Sequence, residues 1–138
     1  EAVEAKILEL CGSYNVTRIG CDPNYFTRSM LKLEHEFRLP VEEFPQENKR
    51  MTAAAMTLYD VLQEGRLVHG GIAELTEQVL NAGVKPTAYG WRLTKVSDDA
   101  KIDAAVAAAI AVYLAEVEAD AFAPSFAETG GVWTIPLG

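Results

Sequence analysis

The stretch RIGCDPNYF, residues 18–26, constrains the fold more than any other part of the chain. Val16, Thr17 and Ile19 favour extended backbone, and the run then meets Asp22 and Pro23. Proline lacks an amide hydrogen and fixes φ near that of a helix, so it suits a first helical turn and stops a strand. Aspartate is a favoured N-cap, because its carboxylate accepts from an amide that has no partner within the helix. A strand over VTRIGC therefore passes directly into a helix opening at Pro23, along which Phe26, Met30, Leu33 and Phe37 recur at helical spacing. The acid at this junction has two readings. It can cap the helix, or it can stand at the carboxyl end of a sheet strand, facing the crevice where α/β proteins bind ligands.

The same reasoning sets out the rest of the chain. Val3, Ile7, Leu8 and Cys11 mark one face of a first helix, with Gly12 as its expected stop. LPVEEFP lies between two prolines and reads as a short strand near a sheet edge. A helix is expected over residues 48–64, with Met51, Ala55, Leu58 and Leu62 on its apolar side and Gly65 ending it. A shorter helix follows over 72–80. Two extended pieces come next, around Val84 and over Trp91–Leu93, separated by the turn residues Tyr89 and Gly90. The last helix is expected over residues 99–117, with Ile102, Val106, Ile110, Tyr113 and Val117 on one face. Residues 119–138 form a turn-rich tail that Trp133 and Ile135 could dock. Helices alternating with few strands imply an α/β layer with a short central sheet covered by helices, expected to be part of a larger sheet.

Composition narrows the class. The 138 residues suffice for one domain with a core. The longest apolar run, 104–115, is shorter than the ~20 residues of a membrane span. A formal charge of −8 argues against positive charge over the whole surface, though not against a nuclease with local cations. Cys11 and Cys21, ten positions apart, match no metal or redox spacing and read as reduced thiols. The chain opens on Glu1 with no basic start or cleavage site, so a trimmed product or excised piece is expected. No phosphate-binding GxxxxGK[ST] loop and no local nucleophile motif is present.

Asp103 is the second acid to weigh. It stands about 100° around the helix from Ile102, among Ala104, Ala105, Ala107, Ala108 and Ala109, where helices can pack closely. A solvated acid favoured by the helix dipole is the plain reading, and a metal ligand is the other. Asp99 would lie one turn earlier on the same face, or act as a cap with Ser97 and Asp98. Lys85, Arg92, Lys95 and Lys101 precede this helix and could steer a phosphate backbone. His69, in LVHGG, has no second histidine at ligand spacing and reads as structural or substrate-facing.

Four segments in order, IGCDPNYF, LPVEEFPQENKRMTAA, GRLVHGG and GWRLTKVSDDAKIDAAVAAAIA, resemble the C-terminal nuclease domain of phage terminase large subunits. The resemblance runs from about Tyr14 to Ala115 and implies a partial RNase H-like fold. It implies metal-dependent endonucleolytic cleavage of concatemeric viral DNA, with Mg²⁺ or Mn²⁺ in a two-metal site. Asp22 and Asp103 match the acids of that site and are the implied catalytic and metal-binding residues; Gln46 and His69 match recurring positions, and Asp99 is a further accessory candidate. The third acid of such a cluster, expected on a first strand, has no match here, so a domain truncated on its N-terminal side and inactive alone is expected. Double-stranded DNA, the terminase ATPase domain, the small subunit and the portal are the implied partners, and the host cytoplasm the implied location. Self-association through an uncovered strand edge is a further expectation. Another RNase H-like nuclease or recombinase, or a non-catalytic interaction module, are the alternatives.

Overall fold

The computed structural model describes the backbone of residues 2–126 and the side chains of residues 2–117. Trp133 and Ile135, which could dock the tail, lie outside the described residues. The chain forms two compact units, residues 1–46 and 47–138.

The first unit holds α1 (Ala2–Ser13), β1 (Ile19–Cys21), α2 (Pro23–His35) and β2 (Val41–Glu43). The expected stop at Gly12 is not used. α1 runs through it to Ser13, whose hydroxyl donates back to the Glu9 carbonyl, and Tyr14 N–H donates to the Leu10 carbonyl. β1 is shorter than the expected VTRIGC because its partner is short. It pairs in parallel with β2, Ile19 opposite Val41 and Cys21 opposite Glu43. The pairing extends one bond at each end, from Ile19 N–H to the Pro40 carbonyl and from Phe44 N–H to the Cys21 carbonyl. Pro40 and Pro45 flank β2 and cannot donate to a ladder, which limits its length. Arg18 binds Glu42 with two parallel bonds, Nε to Oε1 at 2.6 Å and Nη2 to Oε2 at 2.9 Å. Met30, Leu33 and Phe44 are the buried apolar residues of this unit. Phe37, expected on the apolar face of α2, falls beyond the helix end and is 42% exposed.

The second unit holds α3 (Asn48–Gln63), α4 (Ala73–Leu80), β3 (Ala82–Thr87), β4 (Gly90–Lys95) and α5 (Asp103–Phe126). α3 packs on α5 and on β4. It buries Met51, Ala54, Ala55, Leu58 and Val61, while α5 buries Ala105, Ala109 and Leu114. The alanines on both helices let their backbones approach closely. Leu62, expected on the apolar side, is 45% exposed. Gly65 adopts a φ of 67°, the left-handed geometry that ends α3. β3 and β4 form an antiparallel hairpin with a two-residue turn, Ala88 and Tyr89. The strands thus pair two by two, as two two-stranded sheets in an α/β chain.

The last helix departs from its expected bounds at both ends. It opens at Asp103, because Ser97–Ala100 forms a turn of its own. Ala100 N–H donates to the Ser97 carbonyl, and the Ser97 hydroxyl donates to Asp99 Oδ1 at 2.7 Å. Ala100 and Ile102 are buried and pin this segment before the helix begins. At the other end the helix continues to Phe126, past the expected limit of 117. No helix among the described residues is long and apolar enough to cross a membrane.

Candidate functional site

In the first unit, Asp22 occupies the junction between β1 and α2 in extended backbone, with φ −71° and ψ 118°. Its Oδ1 accepts from the Asn24 amide at 3.0 Å, and Pro23 takes the first helical position. The capping reading of this acid is therefore realised. The residue is half-buried, and the exposed bond to Asn24 engages one of its two carboxylate oxygens. Gln46, the last residue of this unit, is exposed.

In the second unit, Asp103 is the first residue of α5, exposed, with no hydrogen bond or ion pair among the described residues. The amide that follows it is capped from elsewhere: Ala104 N–H donates to Gln78 Oε1 of α4 at 2.7 Å. Gln78 thus does for α5 what a local cap would do, and it fixes the turn that presents Asp103. Nothing in the local sequence marks Gln78 for this role, since it lies 26 residues away and glutamine is not a favoured cap. Asp99, expected one helical turn before Asp103 on the same face, lies outside the helix. Its carboxyl is held below the ordinary range by the Ser97 hydroxyl and a backbone amide.

His69 is exposed in the loop after α3, and its Nδ1 accepts from Gly71 N–H at 3.1 Å. Gly71 there has a φ of 70°, so this histidine closes a tight local turn. The four cations grouped by sequence separate on the hairpin. Lys85 and Arg92 are direct cross-strand partners, on one face of the ladder. Lys95 is three residues along β4, opposite Ala82, and so on the other face. Lys101 is exposed in the segment leading to α5.

The hairpin is seated on α3 by polar and steric contacts. Thr52, the buried polar residue of α3, shares a 2.8 Å hydrogen bond with the Thr87 hydroxyl, which also accepts from Tyr89 N–H. Arg92 Nη1 donates to Asn48 Oδ1 at 3.0 Å. Gly90 has a φ of 137°, and a Cβ there would stand 2.9 Å from Met56 Sδ. Trp91 meets Tyr59 edge-on, with ring centroids 5.7 Å apart.

Both matched acids offer carboxylate oxygens, the donors that Mg²⁺ and Mn²⁺ take. That chemistry fits a hard divalent ion. Among the described residues, no group of three or more His, Cys, Asp or Glu is gathered for a metal.

Residues 1–119 match the family model for the terminase large subunit, endonuclease domain. This chain belongs to that family. It is also similar in structure to the large terminase of bacteriophage HK97, solved by crystallography, with a TM-score of 0.71 and 30% sequence identity. The similarity covers 81% of this chain and 24% of the HK97 protein, so the terminase endonuclease chain spans about a quarter of that relative. No protein with a curated description matches it. The α/β class expected from the sequence is the class of this terminase domain.

Proposed function

We propose that this chain serves as the endonuclease of a phage DNA-packaging terminase, cutting concatemeric viral DNA with Asp22 and Asp103 as carboxylate ligands of Mg²⁺ or Mn²⁺. The observation that carries the reading is the family match over residues 1–119, which includes both acids. Such an ion, when bound, would neutralise phosphate charge and lower the pKa of a bound water that attacks phosphorus.

The residues would divide the work as follows. Asp103 stands exposed at the first turn of α5, on the positive end of the helix dipole. Gln78 holds the first turn of α5 through the Ala104 amide, and so keeps the Asp103 carboxylate from drifting. At Asp22, the bond from Asn24 orients the carboxylate plane and leaves the second oxygen as a donor to metal. Asp99 serves as an accessory acid, while Gln46 and His69 act beside the DNA rather than on metal. Lys85, Arg92, Lys95 and Lys101 supply the cations that offset phosphate repulsion. The terminase ATPase domain, the small subunit and the portal are the partners this role requires, in the host cytoplasm.

The test is plasmid nicking by a full-length large subunit that carries this domain. With Mn²⁺, Asp22→Asn and Asp103→Asn should each lower nicking by more than about a hundredfold, while ATP hydrolysis stays near wild type. Wild-type nicking by either variant would remove that residue from the catalytic set.

A further inference from the structure

The geometry points to a phosphate-binding face on the second unit, formed by Lys49, Lys85 and Arg92 and aligned by Asn48, that grips the backbone of duplex DNA. It deepens the proposed nuclease reading and rests on it.

Charge segregation is the first support. The chain has 12 Lys and Arg against 20 Asp and Glu. Residues 48–59 and 78–97 nevertheless contain five of those cations, Lys49, Arg50, Lys85, Arg92 and Lys95, and no acid at all. These stretches are the amino-terminal part of α3 and the hairpin with its approach, and they pack on each other. Distant sequence thus brings two acid-free stretches together in an acidic protein, with Lys85 and Arg92 on one face of the hairpin and Lys95 on the other. Glu47, Asp60, Glu77 and Asp98 bound these stretches in sequence.

The cross-strand pair is the second support. Lys85 and Arg92 stand directly opposite each other in the ladder. Like charges directly opposite are destabilising in a sheet, with Cβ atoms only about 5 Å apart. An anion between them turns that repulsion into attraction, and a phosphate oxygen is the group that Arg and Lys both recognise.

The third support is rigidity. Arg92 is tied to Asn48, Thr87 to Thr52, and the turn is closed at Gly90 against Met56. Asn48 opens α3 and Lys49 follows it in sequence, at the end of α3 to which Arg92 is tied. Asn48 is a positioning residue: it is an uncharged acceptor and adds nothing to the cation count.

The experiment is fluorescence anisotropy of a labelled DNA duplex with the 138-residue chain, over about 50 to 200 mM salt. Lys49→Ala, Lys85→Ala and Arg92→Ala should each weaken binding and reduce the log–log salt slope by about one. Lys85→Ala should do so without lowering the melting temperature of the unbound protein, because it removes a repulsion. Asn48→Ala should weaken binding several-fold at an unchanged slope, and Asn48→Ser, which restores an oxygen acceptor, should recover part of the loss. Lys6→Ala should bind as wild type. If Lys95→Ala and Lys101→Ala lower the slope while Lys85→Ala and Arg92→Ala do not, this face is wrong and duplex binding stands. If the wild-type chain shows no salt-dependent duplex binding, the DNA reading itself falls, and this face with it.

Discussion

In residues 1–46, α1 buries no side chain and is tied to α2 by polar bonds. Glu4 accepts from the Ser29 hydroxyl at 2.7 Å and from Lys32 Nζ at 3.0 Å. In residues 47–138, α3 instead buries Met51, Ala54, Ala55, Leu58 and Val61, and α5 meets it with buried alanines. The two proposed carboxylate ligands are divided between these regions. Asp22 sits where order depends on a cap and a three-residue parallel ladder. Asp103 opens a long helix packed on an apolar seam. One carboxylate thus depends more on local polar bonds around a small apolar cluster and the other more on an apolar helix seam, and the two presentations should fail under different perturbations.

The largest effect is expected in the seam. Met51 is fully buried, so Met51→Ala removes its side chain and leaves a cavity. A loss of about 2–5 kcal/mol is expected. Urea unfolding followed by hydrogen exchange should place that loss in α3 and α5. An equal loss of protection in α1 and α2 would mean that the regions are not distinct in this way.

A smaller effect is expected from acid in the first region. The Glu4 carboxyl is held below its ordinary value of 4.5, first by the Ser29 hydroxyl and then by Lys32. Since its folded pKa is depressed, its contribution is complete above the unfolded value and is lost as pH falls through the folded one. Protection of the α1 amides should therefore drop as pH falls below the ordinary carboxyl value of 4.5, ahead of that of α3. Glu4→Gln should remove this step. An unchanged acid profile in Glu4→Gln would exclude Glu4 as its source.

The element order was legible from residue spacing. The Asp-Pro junction marked the start of α2, and the two extended pieces expected around Val84 and Trp91–Leu93 are the hairpin strands, with the turn at Ala88 and Tyr89 rather than at Tyr89 and Gly90 because Gly90 pairs with Thr87. Gly12 misled, because a glycine can continue a helix when its neighbours supply the bonds, as the Ser13 hydroxyl and Tyr14 amide do here. The start of α5 was obscured by three cap-forming residues in a row, which close a separate turn. Of the candidate site, the capping role of Asp22 was readable because it is local. The contributions of Gln78, Thr52 and Asn48 were not, since their partners lie 26, 35 and 44 residues away in sequence. The grouping of Lys85 with Arg92 rather than with Lys95 also needed the register of the hairpin.

The account turns on Asp22 serving as both a cap and a metal ligand, and one pair of variants separates the two roles. Asparagine caps a helix about as well as aspartate, whereas alanine costs about 1 kcal/mol. Mn²⁺ titration followed by electron paramagnetic resonance, paired with a thermal melt, reads both roles in the same samples. Asp22→Asn should melt with the wild type yet bind Mn²⁺ at least about tenfold more weakly, having lost a charged oxygen ligand. Asp22→Ala should lose both stability and Mn²⁺. If Asp22→Asn binds Mn²⁺ as tightly as the wild type, Asp22 is a cap and nothing more, and the proposed metal site loses one of its two named ligands.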